Sequence, residues 1–181
     1  MQDWSGRRFE SEDFQEADLV EQHGIDCVFE ECDFTNANLS SSRFERCAFL
    51  RCTFRRTRLF GAQLLGCKFS GSTFVECDYT ALIIDGGDWS YVLMRAARLG
   101  GVNLAGLRLR EADLSEADLS GADLQGADLG YARLRSAKLR GTDLRGADLD
   151  GVDLRGLDFT DTRIDLAQAA QIARALGAIV G

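Results

Sequence analysis

The sequence predicts an all-β solenoid, a rod wound from stacked five-residue units and closed at its C-terminal end by one α-helix. Three observations predict it. Stepping by five from Trp4 to Ile164 gives 33 positions, of which 32 are Leu, Phe, Trp, Tyr, Ile or Met; Gly24 is the exception. The residue two before each such centre is usually small, as at Ala17, Ala37, Ala112, Ala117 and Ala122. Proline is absent, which suits continuous backbone pairing that needs an N–H at every position.

Each unit follows from this spacing. Residues two apart on an extended chain share a face, so centre and small residue point inward together. The residue between them points outward and is often charged, as at Asp113, Asp118 and Asp123. Thirteen of the 19 glycines fall two residues after a centre, where a corner that needs positive φ would sit. A period of five is neither 3.6 nor 2. It fits a coil with five-residue sides, whose inward pairs are buried only when coils stack.

The segment ADLSEADLSGADLQGADL, residues 112–129, resembles the A(D/N)LXX signature of pentapeptide-repeat proteins. The resemblance implies four units per coil and a right-handed quadrilateral β-helix; periodicity alone gives neither the number nor the hand. The expected organisation is a β-helix over 1–164, about eight coils, then a capping and dimerisation segment over 165–181. At ~4.8 Å per coil the rod is ~39 Å long.

All six cysteines (Cys27, Cys32, Cys47, Cys52, Cys67 and Cys77) occupy the small inward position, each two residues before an aromatic centre. They read as core filling beside rings. A spacing of five is not a zinc pattern, and disulfides are not expected in the cytoplasm. His23, the single histidine, sits on the surface beside Gly24, whose missing side chain is expected to leave a void or a kink. With no nucleophile–base grouping, the chain reads as neither an enzyme nor a metal protein, and it calls for no cofactor.

The formal charge is -8, which argues against direct nucleic-acid binding. No segment is apolar enough to cross a membrane. No secretory h-region follows the start, so a cytoplasmic location is expected. The acidity is axial. Residues 1–40 hold eleven acids and two bases, residues 41–80 three acids and seven bases, and residues 141–165 seven acids and three bases.

DLAQAAQIARALGAIVG, residues 165–181, reads as a helix with Asp165 as N-cap and Gly177 as stop. Leu166, Ala169, Ala170, Ala173 and Leu176 lie on one side, with Ile172 near it. That side, with Ile179 and Val180, is the expected cap and two-fold contact.

The opening MQxW, the unbroken phase and the closing RIDLAQAAQIARALG are similar to the fluoroquinolone-resistance, DNA gyrase-binding branch of the family, its MfpA type more than its loop-bearing Qnr type. That resemblance implies a homodimer joined through the C-terminus, and a DNA-mimicking rod that binds and inhibits DNA gyrase. The alternative is an interaction scaffold with another partner, because fold does not fix function. In the dimer the middle acids Asp143, Asp148, Asp150, Asp153, Asp158 and Asp161 are the first expected contacts. The tip acids Glu10, Glu12, Asp13, Glu16, Asp18, Glu30 and Glu31 are the second. A dimer ~78 Å long would match DNA carrying about 46 charges, against -16 from two chains of -8. Mimicry must therefore rest on shape and local patches.

Overall fold

Parallel pairing at a separation of twenty residues organises the chain. In the computed structural model, which describes residues 4–181, every β-bridge joins residue i to residue i+20. Twenty residues make four five-residue units, and the coil is a right-handed quadrilateral β-helix. Met1 to Asp3 of the opening motif lie outside the described residues.

Nine three-residue strands form the N-terminal part. In chain order they are β1 (Arg8–Glu10), β2 (His23–Ile25), β3 (Val28–Glu30), β4 (Arg43–Glu45), β5 (Ala48–Leu50), β6 (Thr53–Arg55), β7 (Gln63–Leu65), β8 (Thr73–Val75) and β9 (Ile83–Asp85). They pair as β1-β3-β5, β2-β4-β7-β9 and β6-β8. Single bridges continue each column, as in Asp88↔Arg108↔Asp128↔Asp148. The helix α1 (Leu166–Ala175) follows the bridge Asp143↔Arg163.

The centres fill the interior. Those from Phe29 to Leu154 are buried, as is Gly24; Phe159, expected to be buried, is only partly so because no further coil stacks on it. Register forces like onto like. Phe9, Phe29, Phe49 and Phe69 stack with centroids 4.8, 4.5 and 4.7 Å apart. Phe14, Phe34, Phe54 and Phe74 form a second column at 4.9, 4.9 and 4.6 Å. These are the offset-stacking distances aromatic rings favour, and they coincide with the strand spacing.

The cysteines do more than fill space. The corners after Phe9, Gly24, Phe29, Phe44, Phe49 and Phe54 lack the turn hydrogen bond that closes most others, such as Ala17 N to Phe14 O at 3.1 Å. At each of those six, a side chain one coil on donates to the carbonyl of the centre: Cys32, Cys47, Cys52, Cys67, Ser72 and Cys77. Ser72 does so at 2.8 Å and Cys77 at 3.2 Å. Each such hydrogen bond adds a net contribution of about 0.5–1.5 kcal/mol that thiol and hydroxyl can both make and alanine cannot. All six thiols are free and buried. Burial pushes Cys27 and Cys52 up to about 12, far from the reactive thiolate range.

Gly24 does not distort the rod. Strand β2 is continuous and pairs in register with β4. A Cβ at Gly24 would meet the Cys27 sulfur at 2.8 Å and the Phe44 ring at 3.1 Å. Neighbours therefore occupy the space, and the expected void is absent because the Cys27 sulfur and the Phe44 ring already fill it. His23 is exposed, as expected.

The irregularity lies elsewhere. Among the described residues, no bridge forms at the steps Asp78 to Arg98, Ile83 to Asn103 and Arg133 to Asp153. The first two are adjacent. There Leu82 and Val102 stack in consecutive coils at a position held by Ser42, Ala62, Ala122 and Thr142 in other coils. Two branched side chains where the spacing admits small ones push the coils apart. Leu107 is equally large, but the coil before it offers Gly87. That glycine has φ +111, and a Cβ would stand 2.1 Å from the Cys67 carbonyl oxygen.

Three outcomes follow. Phe54→Ala will cost ~3–5 kcal/mol in denaturant unfolding, through the cavity it leaves. Thiol reagents will leave the native protein unlabelled and label all six cysteines after unfolding. In that series Cys52→Ser will stay near wild-type stability, while Cys52→Ala will lose about 1 kcal/mol.

Candidate functional site

The outward aspartates have a backbone role before any other. In most ADL-type units the carboxylate, one residue before the centre, accepts the N–H of the second residue on. Examples are Asp33 to Thr35 at 2.8 Å, Asp78 to Thr80 at 3.0 Å, Asp123 to Gln125 at 2.9 Å and Asp148 to Asp150 at 2.9 Å. Asn38 and Asn103 make the same bond at 3.2 and 2.9 Å. The local side-chain turn explains why Asp and Asn recur at this position. It also means that Asp→Asn removes charge while keeping the corner.

Register then decides which acids stay uncompensated. Charges twenty residues apart lie one above the other. Arg46 forms paired hydrogen bonds to Asp26, both at 2.9 Å. Arg51 reaches Glu31 at 3.0 Å and also pairs with Glu30, which Arg8 contacts as well. The arginine belt at 43–58 thus neutralises part of the acidic N-terminal block. Glu30 and Glu31 are tied up in it. Glu10, Glu12, Asp13, Glu16 and Asp18 are exposed and, among the described residues, form no ion pair.

The C-terminal acids divide in the same way. Asp143, expected to point freely outward, is 6% exposed and bound by Arg145 at 2.7 Å, with Arg163 at 3.7 Å. Asp153 pairs with Arg155 at 2.8 Å and Asp161 with Arg140 at 3.2 Å. Asp148, Asp150 and Asp158 are exposed and carry no ion pair among the described residues. The hydrogen bonds from Arg145 and Arg155 hold Asp143 and Asp153 each down at about 2.

The rod's end is closed by a residue the sequence pattern passed over. Asp165 and Gln168 form the reciprocal capping box of α1, each bond at 3.0 Å. Gln168 is 2% exposed, and its amide nitrogen donates to the Leu144 and Ala147 carbonyls, the latter at 2.9 Å. The helix faces the rod with Gln168, Ile172 and Ala175, not with the Leu166–Ala173 side. An open last coil presents carbonyls, so an amide closes it better than a leucine. Ile172, expected at the two-fold contact, packs on the core instead. Leu166, Leu176 and Ile179 are 90%, 70% and 101% exposed; Ala169, Ala170, Ala173 and Val180 are half-buried. Gly177, at φ +92, ends the helix in a Schellman arrangement: Ala178 N donates to Ala173 O and Gly177 N to Arg174 O, both at 2.9 Å.

No group of three or more His, Cys, Asp or Glu among the described residues could hold a metal ion. Nor is any described helix long and apolar enough to cross a membrane.

Comparison with known proteins gives three findings. A pentapeptide repeat region model matches residues 26–104, and a pentapeptide repeats model matches 94–130 and 127–164. No curated protein sequence matches the chain. Among solved structures, a trypsin-treated variant of QnrB1, a plasmid-mediated fluoroquinolone resistance protein, superposes with a TM-score of 0.89 at 26% identity, over 99% of this chain and 90% of that one. A second trypsin-treated variant gives 0.78 at 22% identity, over 99% and 100%.

Asp143 and Asp153 carry a pH signature. Both carboxyls titrate lower folded than unfolded, where the value is near 3.8. Their contribution is complete above pH about 4 and disappears as pH falls to about 2. Unfolding followed by circular dichroism will show stability falling across that window. Asp143→Asn, which keeps the corner bond, will reduce stability at pH 7 and flatten the decline.

Proposed function

The chain belongs to the pentapeptide-repeat family, and on that premise we propose that it is a non-enzymatic mimic of a DNA segment that binds and inhibits DNA gyrase, conferring fluoroquinolone resistance. The observation that carries this reading is the likeness over 99% of the chain to QnrB1, a fluoroquinolone resistance protein. Two features support it. The repeat ladder holds a separation of twenty wherever it pairs, the loop-free form of the MfpA type. Uncompensated carboxylates stand at the first coil (Glu10, Glu12, Asp13, Glu16, Asp18) and near the last (Asp148, Asp150, Asp158). A basic surface shaped to hold DNA would attract them.

Dimerisation through the C-terminus completes the reading. Leu166, Leu176 and Ile179 stand exposed on one end of the rod. A two-fold contact there buries them, doubles the length and brings Asp148, Asp150 and Asp158 of both copies to the middle. The protein then works in the cytoplasm, where gyrase acts.

A second reading is an interaction scaffold with a different partner. The arginine belt favours it, because Arg46 and Arg51 cancel acids that a uniformly DNA-like surface would leave exposed.

The test is a gyrase supercoiling assay with purified protein. Wild type will inhibit, and inhibition will weaken as salt rises. Asp148, Asp150 and Asp158 changed together to Asn will weaken inhibition and flatten its salt dependence; the tip set changed to Gln and Asn is tested separately. Absence of inhibition by the wild type at high concentration returns the scaffold reading. In sizing experiments at tens of micromolar, Leu176→Asp and Ile179→Asp will run as monomers and wild type as a dimer; a monomeric wild type removes the two-fold contact.

A further inference from the structure

The unpaired steps at 78–98 and 83–103 open a cleft of about 820 Å³ into the side of the rod, continuous through Cys77, Tyr79 and Arg98 with a second space of about 470 Å³. It is a hinge-shaped gap. On the two opposite faces the same coils remain bonded, through Lys68↔Asp88↔Arg108 and Thr73↔Leu93↔Asp113. On the open faces both lips present backbone that pairs in neighbouring coils. Leu59 N donates to Asp78 O at 3.0 Å and Gly61 N to Thr80 O at 3.0 Å, whereas Tyr79 N and Ala81 N, twenty residues on, find no backbone acceptor among the described residues. Tyr79 is 5% exposed, and its hydroxyl has no hydrogen-bond partner among the described residues.

We propose that this cleft is a binding site for an extended peptide segment of a partner protein, which enters as an extra strand between the two lips. The lips are bridge and turn residues, and the Tyr79 and Ala81 N–H groups they leave without a backbone acceptor are complementary to the carbonyls of an added main chain. The charges narrow the occupant further. Opposite charges twenty residues apart pair directly at some steps, as Arg108 with Asp88 at 2.9 Å and Lys138 with Asp118 at 3.6 Å, and stay apart at others, as Arg58 and Asp78 do. Asp78 and Arg98 occupy equivalent positions on the two lips and form no ion pair among the described residues. A strand seated between them meets an anion on one side and a cation on the other. A neutral side chain that both donates and accepts (Asn, Gln, Ser or Thr) fits there, and a charged one is repelled by one lip. Inward, the wedge of Leu82 and Val102 leaves room for a small apolar residue. The segment is therefore uncharged, polar outward and small inward, about two five-residue units long. This inference does not depend on gyrase binding, since the cleft lies away from both acidic clusters.

The experiment uses the full chain and a capped decapeptide probe, Ala-Asn-Leu-Ser-Gly-Ala-Thr-Leu-Ser-Gly. Hydrogen exchange of the free protein will show Tyr79 and Ala81 amides exchanging fast, while Leu59 and Gly61 are protected. Saturating peptide will slow Tyr79 and Ala81 by about tenfold or more, as new backbone bonds form. A peptide with proline at both central positions, which lacks the donors, will not bind. Val102→Ala and Leu82→Ala remove the wedge; each will protect the same amides without peptide and abolish binding, with the circular dichroism of the rod unchanged. Should one variant fail to fold, the other and the wild-type exchange pattern decide. Protection of Tyr79 and Ala81 in the free wild type shows a closed cleft and overturns the proposal. So does equal binding of the proline peptide, or binding that leaves those amides fast. Gyrase inhibition is measured alongside; its loss or retention bears on the other reading and leaves this one untouched.

Discussion

Parallel backbone pairing between residues twenty apart is the constraint on which the rest depends. Once the chain is locked at that separation, every side chain lies over one predetermined neighbour in the next coil. Phenylalanine columns stack at strand spacing because register leaves no other arrangement. Small inward residues are small because a larger one twenty residues on would collide with it. The same rule explains the exceptions. Leu107 is accepted because Gly87 precedes it in its column, and Leu82 above Val102 is not accepted without opening the ladder.

The constraint also sets the polar accounting. A square coil has four corners, and each corner leaves a carbonyl to satisfy. Where the local turn bond closes, alanine suffices in the coil above. At six of the corners where it does not, cysteine or serine supplies a donor. The cysteines of the N-terminal part thus belong with its aromatic columns: broad rings accompany the strand-like corners that lack turn bonds, and thiols accompany those corners. The leucine-rich part has tighter turns and alanine. At the final coil no further side chain arrives from above, and the Gln168 amide takes that role from the helix.

Surface charge follows the same geometry. A charge map drawn along the chain suggests an acidic tip, a basic belt and an acidic end. Stacking folds the belt onto the tip, so that Arg46 and Arg51 cancel Asp26, Glu30 and Glu31. What remains is sparser: a carboxylate group on the first coil and another near the last. A DNA-like partner surface would meet these local groups on a rod of suitable girth, not a continuous anionic line. Many remaining aspartates are committed to clamping corners, which is why an Asn variant separates charge from fold.

Much of this was legible in the residues alone. The five-residue phase from Trp4 to Ile164, the inward pair, the corner position and the C-terminal helix with Asp165 and Gly177 all arise from local spacing, and local spacing is what a sequence displays. Only the tertiary structure decided matters that turn on a neighbour twenty residues away. It placed the Phe44 ring over Gly24 and removed the expected void. It buried Asp143 between Arg145 and Arg163 instead of leaving it free, and it gave Gln168, a polar residue on a helix, the closing contact that the apolar pattern had assigned to the opposite side. It opened the cleft beside Leu82 and Val102, where the phase never slips. The physical reason is common to all four. Period five tells which way a side chain points, while packing, pairing and exposure depend on what register stacks above and below it.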